Sequence, residues 1–316
     1  MSGESEARVQ PAATAHRRAW TGVLAPVLAS GACLLLTTLS WWIFVGTTRG
    51  QYVDDAARIG SASARDELSG LSTWVLNAVS VPLLLVVLVA AILVSLLQRR
   101  WSIAIGAIMV LAGANFTTQI LKDLLQRPEA DVARLTLNSF PSGHVTVAAS
   151  IAATALLVVS VRWRPIVAFG GAVFVATMGI ATMVGTAAGA WHRASDVIAS
   201  MFITATWYFA VEAVLTGMAG SDGEPGTTRG RPAGLMRVVL RTLAIIGGLS
   251  AGLAGGVLLA SLVRAPIETS VGYRLAFAGA VVGVVAVSCF INALMLRLRP
   301  HHPPPTSTID PQPYAG

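Results

Sequence analysis

Five histidines occur in the chain, and three of them, His16, His301 and His302, lie in polar terminal stretches. The other two, His144 and His192, each stand where a polar junction meets a long apolar run. One junction reads Asn138-Ser139-Phe140-Pro141-Ser142-Gly143-His144, and another reads Trp191-His192-Arg193-Ala194-Ser195-Asp196. A third, Lys122-Asp123 followed by Arg127-Pro128, closes the apolar run before them. Pro141-Ser142-Gly143 ahead of an apolar run signals a helix start, with Ser142 as a candidate cap. Such a terminus presents unpaired N–H groups and a positive dipole end, which suit a phosphate, and Gly143 admits a close approach of its oxygens. His192 and Asp196 are four apart and share one helical face. The carboxylate can then fix the imidazole tautomer and stabilise the cation formed when the other ring nitrogen attacks. Lys122, Arg127 and Arg193 offer donors to non-bridging oxygens.

Each of these residues has a plainer reading when taken singly. A histidine at the end of an apolar run is usually interfacial, and a lone lysine there snorkels. Arg127, Arg134 and Arg193 read as loop charges, and Ser142-Gly143 as a simple helix start. Asn115, Thr117, Thr118 and Gln119 read as interhelical hydrogen bonders, and Glu212 as paired or interfacial. These independent readings do not account for all three junctions falling at one face, and that joint placement favours phosphate chemistry.

The elements that must position these residues are membrane helices. The composition is 54% hydrophobic and 12% charged, with mean hydropathy +0.70, too apolar for a soluble domain of this size. Eight apolar runs have near-spanning length: Gly22–Val45, Thr73–Leu97, Ser102–Leu121, Val145–Val161, Ile166–Ala188, Val197–Met218, Val238–Val263 and Leu275–Leu296. The fold expected is therefore an all-α polytopic membrane bundle. It divides into a polar cytoplasmic tail (1–19), a six-span core (20–218), a Gly/Pro-rich cytoplasmic loop (219–236), two further spans (237–297) and a disordered cytoplasmic tail (298–316).

With both termini inside, thirteen basic residues fall on inner segments and nine on outer ones, and the short inner turns Gln98-Arg99-Arg100 and Arg162-Trp163-Arg164 follow the positive-inside rule. All three junctions then face outside. The net charge of +7 is explained by this topology and not by nucleic acid, since the arginines form no single basic stripe. Cys33 and Cys289 lie inside apolar runs and read as small buried hydrophobes.

The ordered junctions resemble the type 2 phosphatidic acid phosphatase family, whose fold is shared with bacterial acid phosphatases and vanadium haloperoxidases. Its signature is a lysine, six residues and Arg-Pro; then Pro-Ser-Gly-His; then Ser-Arg, five residues, His, three residues and Asp. Pro141-Ser142-Gly143-His144 matches in full, and His192 through Asp196 matches the end of the third motif. The likeness runs from Lys122 to Asp196. Two departures stand out: Arg127-Pro128 comes two residues early, and Gly185-Thr186 occupies the Ser-Arg position.

The resemblance implies that His192 is the nucleophile, Asp196 its orienting partner, and His144 the acid and then the base. It implies Lys122, Ser142 and Gly143 as phosphate binders, Arg127 if its loop adjusts, and Arg193 as a substitute for the missing arginine. The chemistry requires no cofactor or metal, and no metal-ligand cluster shows in the sequence. The substrate implied is a lipid phosphate or pyrophosphate at the outer face of the plasma membrane. A lipid phosphotransferase, or a non-catalytic phospholipid-binding or transport protein, are the rival readings.

Overall fold

A computed structural model of the chain describes residues 9–79, 81–125, 138–221, 234–263 and 269–299. These form ten helices: α1 (Val9–Phe44), α2 (Thr48–Gly60), α3 (Ala62–Ala78), α4 (Val81–Leu97), α5 (Trp101–Leu124), α6 (Gly143–Val158), α7 (Arg164–Val184), α8 (Ala194–Ser221), α9 (Gly234–Val263) and α10 (Ser270–Leu298). No strand occurs among the described residues, apart from an isolated bridge between Thr186 and Gly189. The chain is an all-α polytopic membrane protein.

The span count differs from the eight expected. Within α1, α5, α7, α8, α9 and α10 lie six segments long and apolar enough to cross a membrane alone. The expected run Thr73–Leu97 is instead a pair, α3 and α4, bent by 46°. Pro82 at the start of α4 supplies no N–H and crowds the preceding residues, which accounts for a break there. The run Val145–Val161 yields α6, only 16 residues long, or about 24 Å against a hydrocarbon core of about 30 Å.

Helix begins at Val9, within the stretch 1–19 expected as a polar tail, and continues into the first span. Of the loop expected over 219–236, residues 222–233 lie outside the described residues, as does the tail from 300 onward.

Helix α2 was not anticipated from the sequence. Thr47 caps it, accepting the Gly50 N–H at 3.0 Å. Its carboxylate-bearing face, with Gln51, Asp54 and Asp55, is buried. At its far end Gly60 meets α10 so closely that a Cβ there would lie 1.9 Å from the Tyr273 carbonyl oxygen.

The centre of the bundle is α6, whose Ala148, Ala149, Ala152 and Ala153 let α5, α7 and α8 pack close. Of the four residues expected to bond between helices in the third span, three do so. Asn115 donates to Ser150 Oγ at 3.1 Å, Thr118 pairs with Thr146 at 2.9 Å, and Thr117 Oγ1 accepts from Trp207 Nε1 at 3.0 Å. Glu212 is paired, as expected, and its partner is the buried Arg299. Cys33 and Cys289 are buried and unpaired. Around this centre Leu28, Leu35, Val86, Phe116 and Leu249 are exposed, an apolar coat suited to lipid and not to water.

Candidate functional site

Four helix ends meet at one end of the bundle: the C-termini of α5 and α7 and the N-termini of α6 and α8. Asn138 joins the first two chain segments. Its Nδ2 donates to the carbonyls of Leu125, Lys122 (3.2 Å) and Phe140 (3.2 Å), while its Oδ1 accepts the Phe140 N–H. Phe140, fully buried against Val45 and Ala199, anchors the approach to α6. The Phe140–Pro141 peptide is cis.

Ser142 is the N-cap residue of α6, yet its hydroxyl makes no cap bond. Its main chain ties α6 to α8 instead: the Ser142 N–H donates to the Asp196 carbonyl at 3.1 Å, and its carbonyl accepts from Ser200 Oγ at 2.8 Å. The Ser142 hydroxyl is buried with no hydrogen-bond partner among the described residues. Beside it, the Lys122 ammonium reaches over the first turn of α6, such that a Cβ on Gly143 would sit 3.6 Å from Lys122 Nζ. Lys122 and Gly143 are half-buried and therefore reachable.

His144 packs on Trp191, with ring centroids 5.3 Å apart and planes at 55°. Burial, then the neighbouring His192 and Lys122, hold its ionisation below the ordinary histidine value of 6.5. Trp191 and His192 are themselves held by one carbonyl, that of Thr182, which accepts both backbone N–H groups at 3.1 and 3.2 Å. The turn preceding them needs glycine: Gly185 has φ +77°, and a Cβ there would meet the Gly189 carbonyl oxygen at 1.9 Å. The position where the resembled family has serine is therefore a tight reversal at the end of α7.

Asp196, completely buried, is the third residue of α8. Its Oδ2 accepts the backbone N–H of Arg193 at 2.9 Å, the closing half of a capping box. The same oxygen accepts the Ser139 hydroxyl at 2.6 Å and lies 3.4 Å from His192 Nδ1. That last separation is within ion-pair reach, but the ring N–H is outside hydrogen-bond alignment.

Six sequence-expected residues therefore converge at this end: Lys122, Ser142, Gly143, His144, His192 and Asp196. Arg127, with Pro128 and Arg134, lies outside the described residues. Arg193 is buried, and its guanidinium points to α2, donating to Asp55 Oδ1 at 3.1 Å and approaching Ser139 Oγ at 3.5 Å. It is occupied there, not directed at Lys122 and Gly143.

Sequence reasoning missed the α2 contribution altogether. Asp54 accepts both the N–H and the hydroxyl of Ser195, satisfying an otherwise orphaned donor in the first turn of α8. Asp55 binds Arg58 in a fork at 2.6 and 3.2 Å as well as Arg193. The one available signal was the adjacent pair Asp54-Asp55 with Arg58 a helical turn later.

Comparison of the chain with protein-family models, curated proteins and solved structures finds no match.

Proposed function

We propose that this protein is an integral membrane phosphatase that hydrolyses a lipid phosphate or pyrophosphate through a phosphohistidine intermediate. The observation that carries the reading is the convergence of Lys122, the N-terminus of α6, His144 and the His192–Asp196 pair at one end of the bundle.

In this mechanism Lys122 and the first N–H groups of α6 take the non-bridging phosphate oxygens, where a helix N-terminus favours negative charge. His192 Nε2, the ring nitrogen not turned to Asp196, attacks phosphorus. The bond from phosphorus to the leaving oxygen breaks, and His144 gives that oxygen its proton. Neutral His144 then takes a proton from water as the water oxygen attacks phosphorus. The P–N bond breaks, its electron pair returns to His192, and inorganic phosphate departs. The surroundings of His144 disfavour its charged form. An arriving phosphate dianion reverses that balance, so the proton enters with the substrate.

The basic residues favour cytoplasmic termini and an active face outside the plasma membrane. An amphiphilic substrate is favoured because the site stands at the end of apolar helices whose outer faces suit lipid.

A second reading, phospholipid binding without turnover, rests on Arg193: with its guanidinium on Asp55, the cation beside Gly143 among the described residues is Lys122. The test is phosphate release from a panel of lipid phosphates and pyrophosphates by the purified protein in detergent with EDTA. Release by wild type that disappears in His192→Ala and His144→Ala is the expected result. A folded wild type that releases nothing from any lipid overturns the phosphatase reading in favour of binding. Running the panel with an added alcohol acceptor separates hydrolysis from phosphotransfer.

A further inference from the structure

The space over the first turn of α6 is bordered by donors. At the point where a Cβ on Gly143 would stand, Lys122 Nζ is 3.6 Å away and Gln119 Nε2 is 4.0 Å away. Beyond the glycine's own chain neighbours and helix backbone, no other described atom comes within 4 Å of that point. The Ser142 hydroxyl beside it is buried with no hydrogen-bond partner among the described residues.

By its place in the sequence Gln119 groups with Asn115, Thr117 and Thr118, which bond to α6 and α8. Its own side chain is exposed and bonds to neither helix among the described residues. The antiparallel course of α5 along α6 explains the difference. Asn115 faces Ser150 and Thr118 faces Thr146, so the next turn of α5 arrives at Gly143, which has no side chain to bond. Gln119 and Lys122, three residues apart on one side of α5, reach over that glycine together.

We propose that Gln119 is a substrate-binding residue, its side-chain amide donating to a non-bridging oxygen of the phosphoryl group held by Lys122 and the first turn of α6. An ammonium, an amide NH2 and helix N–H groups facing one open space call for acceptors. A phosphoryl group suits them because it offers several oxygens from one centre, one to each donor. The lysine supplies charge. The uncharged amide supplies direction, fixing how the phosphoryl group is turned for attack by His192. Gln119 also stands about 4.5 Å nearer the middle of α5 than Lys122, beside the exposed Phe116 and Ile120. Its contact is therefore on the side from which a lipid chain would enter.

This assignment rests on the phosphatase reading for turnover but not for binding, so the experiment has two readouts on wild type, Gln119→Met and Gln119→Glu. The first is the thermal unfolding midpoint in detergent, alone, with inorganic phosphate, and with a diacylglycerol phosphate compared with diacylglycerol of the same chains. The lipid arm is run in the His192→Ala background, so that the lipid is not consumed. Without ligand, Gln119→Met is expected to keep the wild-type midpoint, since an exposed side chain with no interhelical bond is removed. A phosphate ligand is expected to raise the wild-type midpoint, and Gln119→Met to need about tenfold more of it for the same rise. A response to both ligands assigns the space to a phosphoryl group from either source, and a response to the lipid alone assigns it to a lipid head group.

The second readout is kcat and KM on the most rapidly hydrolysed lipid phosphate. Gln119→Met is expected to raise KM about tenfold with kcat within about threefold, as for a bond made in the ground and transition states alike. Gln119→Glu sets a carboxylate against the phosphate and is expected to lose about a hundredfold in kcat/KM at neutral pH. That deficit relative to wild type should close as pH falls towards about 5, where the carboxyl takes up a proton and becomes a donor.

Equal ligand concentrations for wild type and Gln119→Met overturn the proposal, as does a wild-type midpoint that neither ligand raises. A ligand-free midpoint that falls in Gln119→Met along with activity overturns it in favour of a structural role. Absence of phosphate release by wild type, with the midpoints responding as described, overturns the phosphatase reading alone.

Discussion

Replacing Gly143 by alanine separates fold from function at the N-terminus of α6. The backbone there is not left-handed; among the described residues the glycines with positive φ are Gly185 and Gly189. An added Cβ would stand 3.6 Å from Lys122 Nζ and 4.0 Å from Gln119 Nε2, ordinary contact distances. The fold should therefore accept the methyl, and the smaller entropy of the unfolded chain adds about 0.4–1 kcal/mol of stability.

A bound phosphate is treated differently. An oxygen bridging the Lys122 ammonium and an α6 N–H must lie within about 3 Å of each, in the space the methyl fills. Displacing it by about 1 Å costs on the order of 10² in rate. The assay pairs kcat/KM with the thermal unfolding midpoint in the same detergent. A midpoint that holds or rises while kcat/KM falls about a hundredfold is the expected outcome. Retention of kcat/KM within about threefold would refute the use of this helix end, and a parallel fall in the midpoint would refute the steric argument.

Three further outcomes follow from the packing and the charges. Glu212→Leu leaves Arg299 buried without its carboxylate and should cost about 3–5 kcal/mol, whereas Glu212→Leu/Arg299→Met should recover most of it, as read by thermal unfolding. Gly60→Val drives a side chain into the Tyr273 carbonyl and should lower the unfolding midpoint, by about 1–3 kcal/mol, together with activity. His144 is held below its ordinary value of 6.5. Above that value neither folded nor unfolded chain protonates it, and below it the unfolded chain takes the proton more readily. Stability therefore falls as pH drops below about 6.5, and His144→Gln should flatten that part of the midpoint-against-pH curve.

What could be read from the sequence was local. His192 and Asp196 are one helical turn apart, and the Pro-Ser-Gly run marks a helix start wherever it occurs. Lys122, Gly143 and His144 followed from those ends. The α2 carboxylates were hidden because they act on Arg193 and Ser195 across 138 and 141 residues of chain. A 13-residue helix carrying two aspartates and two arginines reads as a loop among long apolar runs. Arg193 shows the same limit: its residue type suits a phosphate or a carboxylate equally, and only the fold turns it to Asp55. Glu212 was readable as paired because a carboxylate in an apolar run needs a partner, but nothing local named Arg299. The length of α6 was overestimated because the apolar run continues through Val159 and Val161, past the end of the helix at Val158.

That shortness links the two polar ends of the bundle. A helix of about 24 Å among longer neighbours leaves its last carbonyls and first N–H groups short of the water on at least one side. Orphaned backbone groups in such a place require partners. At the C-terminal end the partner is a side chain, since the Arg299 guanidinium donates to the Leu157 carbonyl while pairing with Glu212. At the N-terminal end Ser142 gives its own N–H to the Asp196 carbonyl and withholds its hydroxyl from the cap. The following turn keeps its N–H groups and dipole beneath the Lys122 ammonium. One end is thus closed by an arginine held in place by a carboxylate, while the other presents donors and positive charge beside Lys122. In the proposed reading, the helix ends that form the site border the bilayer, so an amphiphile can occupy it with its tail among lipids, an advantage a soluble phosphate ester lacks. The proposed preference is accordingly for lipid phosphates over water-soluble ones of the same head group, and equal kcat/KM for a short-chain soluble analogue would argue against it.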